Sequence, residues 1–115
     1  MAHRVINRTP NGLIYYCSGC KLIHIEFKNL NFNFTKREMK TFIKYMRKVK
    51  GEEWEERNKH SPFDRKIVIP ISDDNFNFLL NNDELVEFQE LLNVEIEHPL
   101  ISQLFKDLNS KVRSN

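Results

Sequence analysis

Apolar and polar residues alternate through the first third of the chain and then change period. Val5-Ile6-Asn7-Arg8 and Leu13-Ile14-Tyr15-Tyr16 flank Thr9-Pro10-Asn11-Gly12, turn chemistry between β-prone runs that predicts a β-hairpin. Its register would bring His3 back toward Cys17 and Ser18. In Leu22 to Phe27, the apolar residues Ile23, Ile25 and Phe27 alternate with His24 and Glu26, as in a strand with one face in the core and one in water. Lys28-Asn29-Leu30 then turns the chain into Phe32-Asn33-Phe34, completing an antiparallel meander.

At Thr35-Lys36-Arg37-Glu38 the period changes. Thr35 and Glu38 form a capping box, and Met39, Phe42, Ile43, Met46 and Val49 follow at helical spacing, with Gly51 as the expected stop. Charged residues from Glu52 to Asp64 read as a long loop in which Trp54 reaches back to the core and a helical turn could form. Arg65 to Ile71 and Phe76 to Leu80 predict a second hairpin, with Pro70 at an edge or strand end. Asn81 or Asn82 caps a helix carrying Leu85, Phe88, Leu91 and Leu92, and Pro99 opens a last helix with Leu100, Ile101, Leu104, Phe105 and Leu108 on one side.

These elements predict an α+β fold: antiparallel hairpins with two to three helices packed on one face. Asn-Phe-Asn-Phe occurs at 31–34 and 75–78, and Glu38 and Phe42 match Glu84 and Phe88, which suggests a ββα unit used twice. With 115 residues, 40% apolar content and nine Phe, the chain has enough material for one core. One domain is expected over residues 1–112, with a frayed tail at 113–115. The sequence lacks a membrane-length apolar run and a signal-peptide pattern, and a cytosolic location without membrane association is expected.

Charge alters the picture more than composition does. Residues 1–51 carry eleven Lys or Arg against Glu26 and Glu38, whereas the remainder carries seven against fourteen acidic residues. The formal net charge of +2 therefore conceals two opposed halves. Lys36, Arg37, Lys40, Lys44, Arg47 and Lys48 fall on about a third of the helix circumference. This basic ridge is a candidate contact surface for a protein partner, for self-association or, as the alternative, for nucleic-acid phosphates. The acidic half weighs against a polyanion.

Cys17-Ser18-Gly19-Cys20 is the remaining chemical feature. A C-x2-C on a tight turn between strands can direct two thiolates at one tetrahedral ion, as in a zinc knuckle. A structural site needs further ligands, and the candidates are His3, His24, His60, His98 and carboxylates. The hairpin register favours His3 beside Cys17 and Cys20. His24 is disfavoured, because four strand residues beyond Cys20 is about 13 Å of extended chain. Two other readings stay open: ordinary half-buried turn residues, or a redox pair, although a strand and not a helix follows the motif.

No Gly-rich phosphate loop, nucleophile elbow or H-E-x-x-H occurs, so a non-enzymatic binding or interaction module is expected. The runs Asn11 to Cys20, Phe27-Lys28-Asn29 and Thr35 to Phe42 resemble a family of small uncharacterised bacterial proteins of unknown function, marked by a C-x2-C after an N-terminal hairpin. The resemblance implies a shared fold and supplies no activity, substrate or catalytic residue.

Overall fold

A computed structural model of the protein describes residues 3–71 and 75–95. Its larger sheet is a meander of four antiparallel strands in chain order: β1 (His3–Thr9), β2 (Gly12–Cys17), β3 (Leu22–Phe27) and β4 (Leu30–Phe34). Pro10 and Asn11 form the expected first turn, since Thr9 pairs with Gly12 and His3 with Cys17. The pairing shifts between Val5 and Asn7, so β1 carries a bulge at Ile6. Lys28, with φ 54°, makes the turn from β3 to β4.

One face of this sheet builds the core. Ile14 and Tyr16 on β2, Ile23, Ile25 and Phe27 on β3, and Phe32 on β4 are all buried. Helix α1 (Lys36–Arg47) contributes Met39, Ile43 and Met46 to the same core. Its start is the expected capping box: Thr35 accepts from the Glu38 N–H, while the Glu38 carboxylate accepts from the Thr35 N–H.

Beyond α1 the structure departs from expectation. Gly51 does not stop α1, which ends at Arg47 with Lys48 as its C-cap; Gly51 opens α2 (Gly51–Arg57), after a break of extended backbone at Lys50. The requirement at Gly51 is close approach, because a Cβ there would lie 2.2 Å from the Asn82 Oδ1. The segment expected to be mainly loop, Glu52 to Asp64, thus has its first six residues in a helix, and Trp54 packs half-buried against the core as expected.

The second hairpin joins β5 (Ile67–Pro70) and β6 (Asn77–Leu80) in a separate two-stranded sheet, with Pro70 at its end. Asn81 caps α3 (Asn82–Leu91) through a second capping box with Glu84. Leu85, Phe88, Leu91 and Leu92 are buried as predicted. The chain is thus α+β, and β3-β4-α1 and β5-β6-α3 are two ββα units. Their equivalence is set by the caps and not by the Asn-Phe-Asn-Phe runs, which lie two residues out of step with it. Phe32 and Phe78 each precede an N-cap by three positions and contact one another at 5.7 Å between ring centroids, whereas Phe76 is 65% exposed. Phe42 and Phe88 add to this aromatic joint, 5.9 Å apart. The helix expected from Pro99 and the tail at 113–115 lie outside the described residues.

Candidate metal centre

The outward face of the meander is where chemistry gathers. Strand alternation turns Tyr15 and Cys17 of β2, and Leu22, His24 and Glu26 of β3, away from the core residues beside them. The pairing sets Tyr15 opposite His24 and Cys17 opposite Leu22, so Cys17 and His24 are diagonal neighbours on one face. Cys20 reaches the same face because the hairpin turn is closed by the Lys21 N–H donating to the Cys17 carbonyl at 2.9 Å, with Lys21 left-handed at φ 60°.

The outcome is a cluster of Cys17, Cys20 and His24 whose ligand atoms all lie within 4.8 Å of one another. The Cys20 Sγ is 2.9 Å from the His24 Nε2. This corrects the reading that His24 is out of reach. The strand does not begin until Leu22, and Lys21 folds Cys20 back over the sheet, so the along-chain distance is not the through-space one. Cross-strand register would have found His24, because a residue opposite Tyr15 is diagonal to Cys17.

The histidine is held in one orientation. Asn33, opposite His24 on β4, donates from its Nδ2 to the Asn31 Oδ1 at 2.9 Å and turns its own Oδ1 toward the His24 Nδ1. An amide oxygen only accepts, so the Nδ1 carries the hydrogen and the Nε2 presents its lone pair to Cys20. Such an outer partner fixes both tautomer and ring direction of a metal-ligating histidine. The Tyr15 ring stacks on the imidazole from the other side, 4.8 Å between centroids and 26° from parallel.

Cys17 is prepared for deprotonation. The backbone N–H and thiol of Cys20 hold its pKa down to about 7; burial opposes this, and the Gly19 N–H assists. Two soft thiolates and an imidazole are a donor set suited to Zn2+. A tetrahedral site with bonds of about 2.0–2.3 Å places its ligand atoms roughly 3.5 Å apart, and the three ligand atoms here all lie within 4.8 Å of one another. Both sulfurs are free thiols.

His3 stands directly across from Cys17, as its register predicted, but outside the three-residue cluster, with its ring edge-on to Tyr15 at 5.3 Å. His60 is exposed beyond α2, and His98 lies outside the described residues. The basic ridge forms as expected: Arg37, Lys40, Lys44, Arg47 and Lys48 are exposed along α1, with Lys36 half-buried. Arg47 also donates to the Val94 carbonyl at 3.2 Å. A cleft of about 710 Å³ beside the ridge is walled by Phe34, Phe42, Tyr45 and Ile71, and among the described residues its one carboxylate, Glu38, belongs to the α1 cap. Among the described residues, nothing besides the ridge speaks for nucleic acid: Phe32, Phe78 and Phe88 pack on each other inside the core instead of offering faces to bases.

Fold and site together define a small α+β domain with a thiol-imidazole cluster capable of holding a metal ion. By sequence, the chain belongs to a family of unknown function, DUF6686, whose family model matches residues 1–115. No curated protein and no solved structure matches the chain. Among the described residues, no helix is long and apolar enough to cross a membrane.

Proposed function

We propose that this protein is a non-enzymatic binding module braced by zinc, with Cys17, Cys20 and His24 as ligands. The observation that carries the reading is the convergence of two sulfurs and one imidazole nitrogen within 4.8 Å, with the second histidine nitrogen already engaged by Asn33. Three different segments of the hairpin supply the donors: the end of β2, the turn, and the middle of β3. An ion there ties the turn to the sheet and fixes the outer face, the role of a structural site. When bound, zinc contributes Lewis acidity and coordination, while the chain orients His24 and supplies thiolates. The basic face of α1, from Lys36 to Lys48, is the surface for a protein partner or for self-association. Its charge is opposite to that of the acidic run at Glu52, Glu53, Glu55 and Glu56 on α2, which favours steered encounter with a complementary surface.

Native mass spectrometry of protein purified without chelator or metal-affinity resin tests this reading. The expected spectrum shows one zinc per chain in the wild type and none in Cys17→Ser/Cys20→Ser. A metal-free wild type that also takes up no added zinc would overturn it.

A further inference from the structure

Three ligand atoms leave a tetrahedral ion one position short, and the sheet register singles out the residue that fills it. Cys17 lies on the middle strand of β1-β2-β3. His24 is its diagonal neighbour on β3, and His3 is its direct partner on β1. Direct antiparallel partners share a face and hold their Cβ atoms about 4.5–5.5 Å apart. His3 indeed lines the outward face together with Val5, Leu13, Tyr15 and Glu26.

The two imidazoles flank one aromatic ring. Tyr15 stacks on His24 at 4.8 Å and takes the edge of His3 at 5.3 Å, with the His3 ring 78° from its plane. Side-chain rotation of His3, an exposed residue, carries its ring from Tyr15 toward the Cys17 sulfur without moving the paired backbone. Glu26 is a poorer candidate. It pairs with Leu13, one step beyond His24 on the same face and farther from both sulfurs.

We infer that His3 is the fourth ligand, so that metal loading closes a Cys2His2 site and latches edge strand β1 onto β2 and β3. The inference rests on the zinc reading above and adds to it a regulated element. Among the described residues, strand β1 is an edge of the sheet, and its bulge leaves only His3, Arg4 and Val5 paired on the N-terminal side of Ile6. That short stretch has little pairing of its own to hold it, so an ion bound through His3 becomes its main fastening. Whether this edge is closed or open to another strand then depends on metal occupancy.

The test is a Co2+ titration of the full chain followed by visible absorption, with hydrogen exchange measured with and without Zn2+. The wild type is expected to show the intense d–d bands of a four-coordinate site and slowed exchange at residues 3–5 when zinc is added. His3→Ala should weaken binding by about 10-fold or more, shift the d–d bands and abolish the zinc-dependent protection of residues 3–5. His3→Cys should restore tight binding and add thiolate-to-cobalt charge-transfer intensity, which a packing role for His3 would not produce. Wild-type spectrum and affinity in His3→Ala would overturn the fourth-ligand assignment and leave the three-residue site standing. An ion shared between two chains would also overturn it. Absence of any cobalt spectrum in the wild type would remove the zinc reading itself.

Discussion

Strands β2 and β3 carry a polar cluster at each end, and the two clusters are solved in opposite ways. At the β3–β4 turn, the carboxylate of Glu84 is buried, with 7% of its side chain exposed, and every acceptor position is used. Lys28 donates to it at 2.6 Å, Arg65 at 2.7 and 3.2 Å, and the Asn81 N–H at 2.9 Å. At the β2–β3 turn, Cys17, Cys20 and His24 turn their lone pairs toward one another with only thiol protons between them. The Glu84 cluster is complete within the protein and serves the fold. The cysteine cluster is a set of soft donors converging on one point, and a cation is what such a donor set binds.

The largest expected effect separates the two clusters by metal. Zinc at about a thousandfold over its dissociation constant should add about 4 kcal/mol to the unfolding free energy. In Cys17→Ser/Cys20→Ser this increment should vanish, while Glu84→Gln should keep it; denaturant melts with and without zinc measure both. Loss of the increment in Glu84→Gln would show that the two ends are not independent.

Next in size is a pH effect confined to the other cluster. Burial pushes the Glu84 carboxyl up, but Arg65, Lys28 and the Asn81 N–H outweigh it and hold the pKa down to about 2. A pKa lowered on folding contributes stability above the unfolded value, and that stability is lost as pH falls toward the folded value. With an ordinary value of 4.5, the shift corresponds to about 3 kcal/mol, present at neutral pH and lost between roughly pH 4.5 and 2. Glu84→Gln should flatten that part of the stability–pH curve and converge with the wild type near pH 2. Equal slopes in the two proteins would refute this account of the carboxylate.

The smallest effect sharpens the metal end. Asn33→Ala removes the partner of the His24 Nδ1 without touching a ligand, and should lower zinc affinity about tenfold, or about 1.4 kcal/mol. Competition with a chromophoric chelator measures it. Unchanged affinity would mean that Tyr15 stacking alone orients the ring.

Much of this was legible in the residues themselves. The Thr35/Glu38 capping box, the Asn cap at 81 or 82, the Pro10-Asn11 turn and the alternation of Ile23, Ile25 and Phe27 are all short-range patterns, and each appears where local chemistry placed it. Gly51 and His24 were not legible in the same way. Glycine is permissive at a helix end and also wherever another chain segment comes close, and only the approach of Asn82 identifies which requirement applies. Distance along the strand puts His24 out of reach of Cys20, whereas the turn at Lys21 brings Cys20 back over the sheet.

By itself, then, the sequence determined the strands, the helices α1 and α3 with where they start, the hairpin register that sets His3 beside Cys17, and the basic ridge of α1, because each follows from residues within a few positions or one turn of each other. Tertiary structure decided which face of the meander holds Cys17, Cys20 and His24 together, and it supplied Asn33 to orient the histidine. It also brought Lys28 and Arg65 to one buried carboxylate from 56 and 19 residues away. The physical reason is that ligand sets and buried charge clusters depend on distances across paired strands and packed layers, which the chain acquires only when the apolar face has closed.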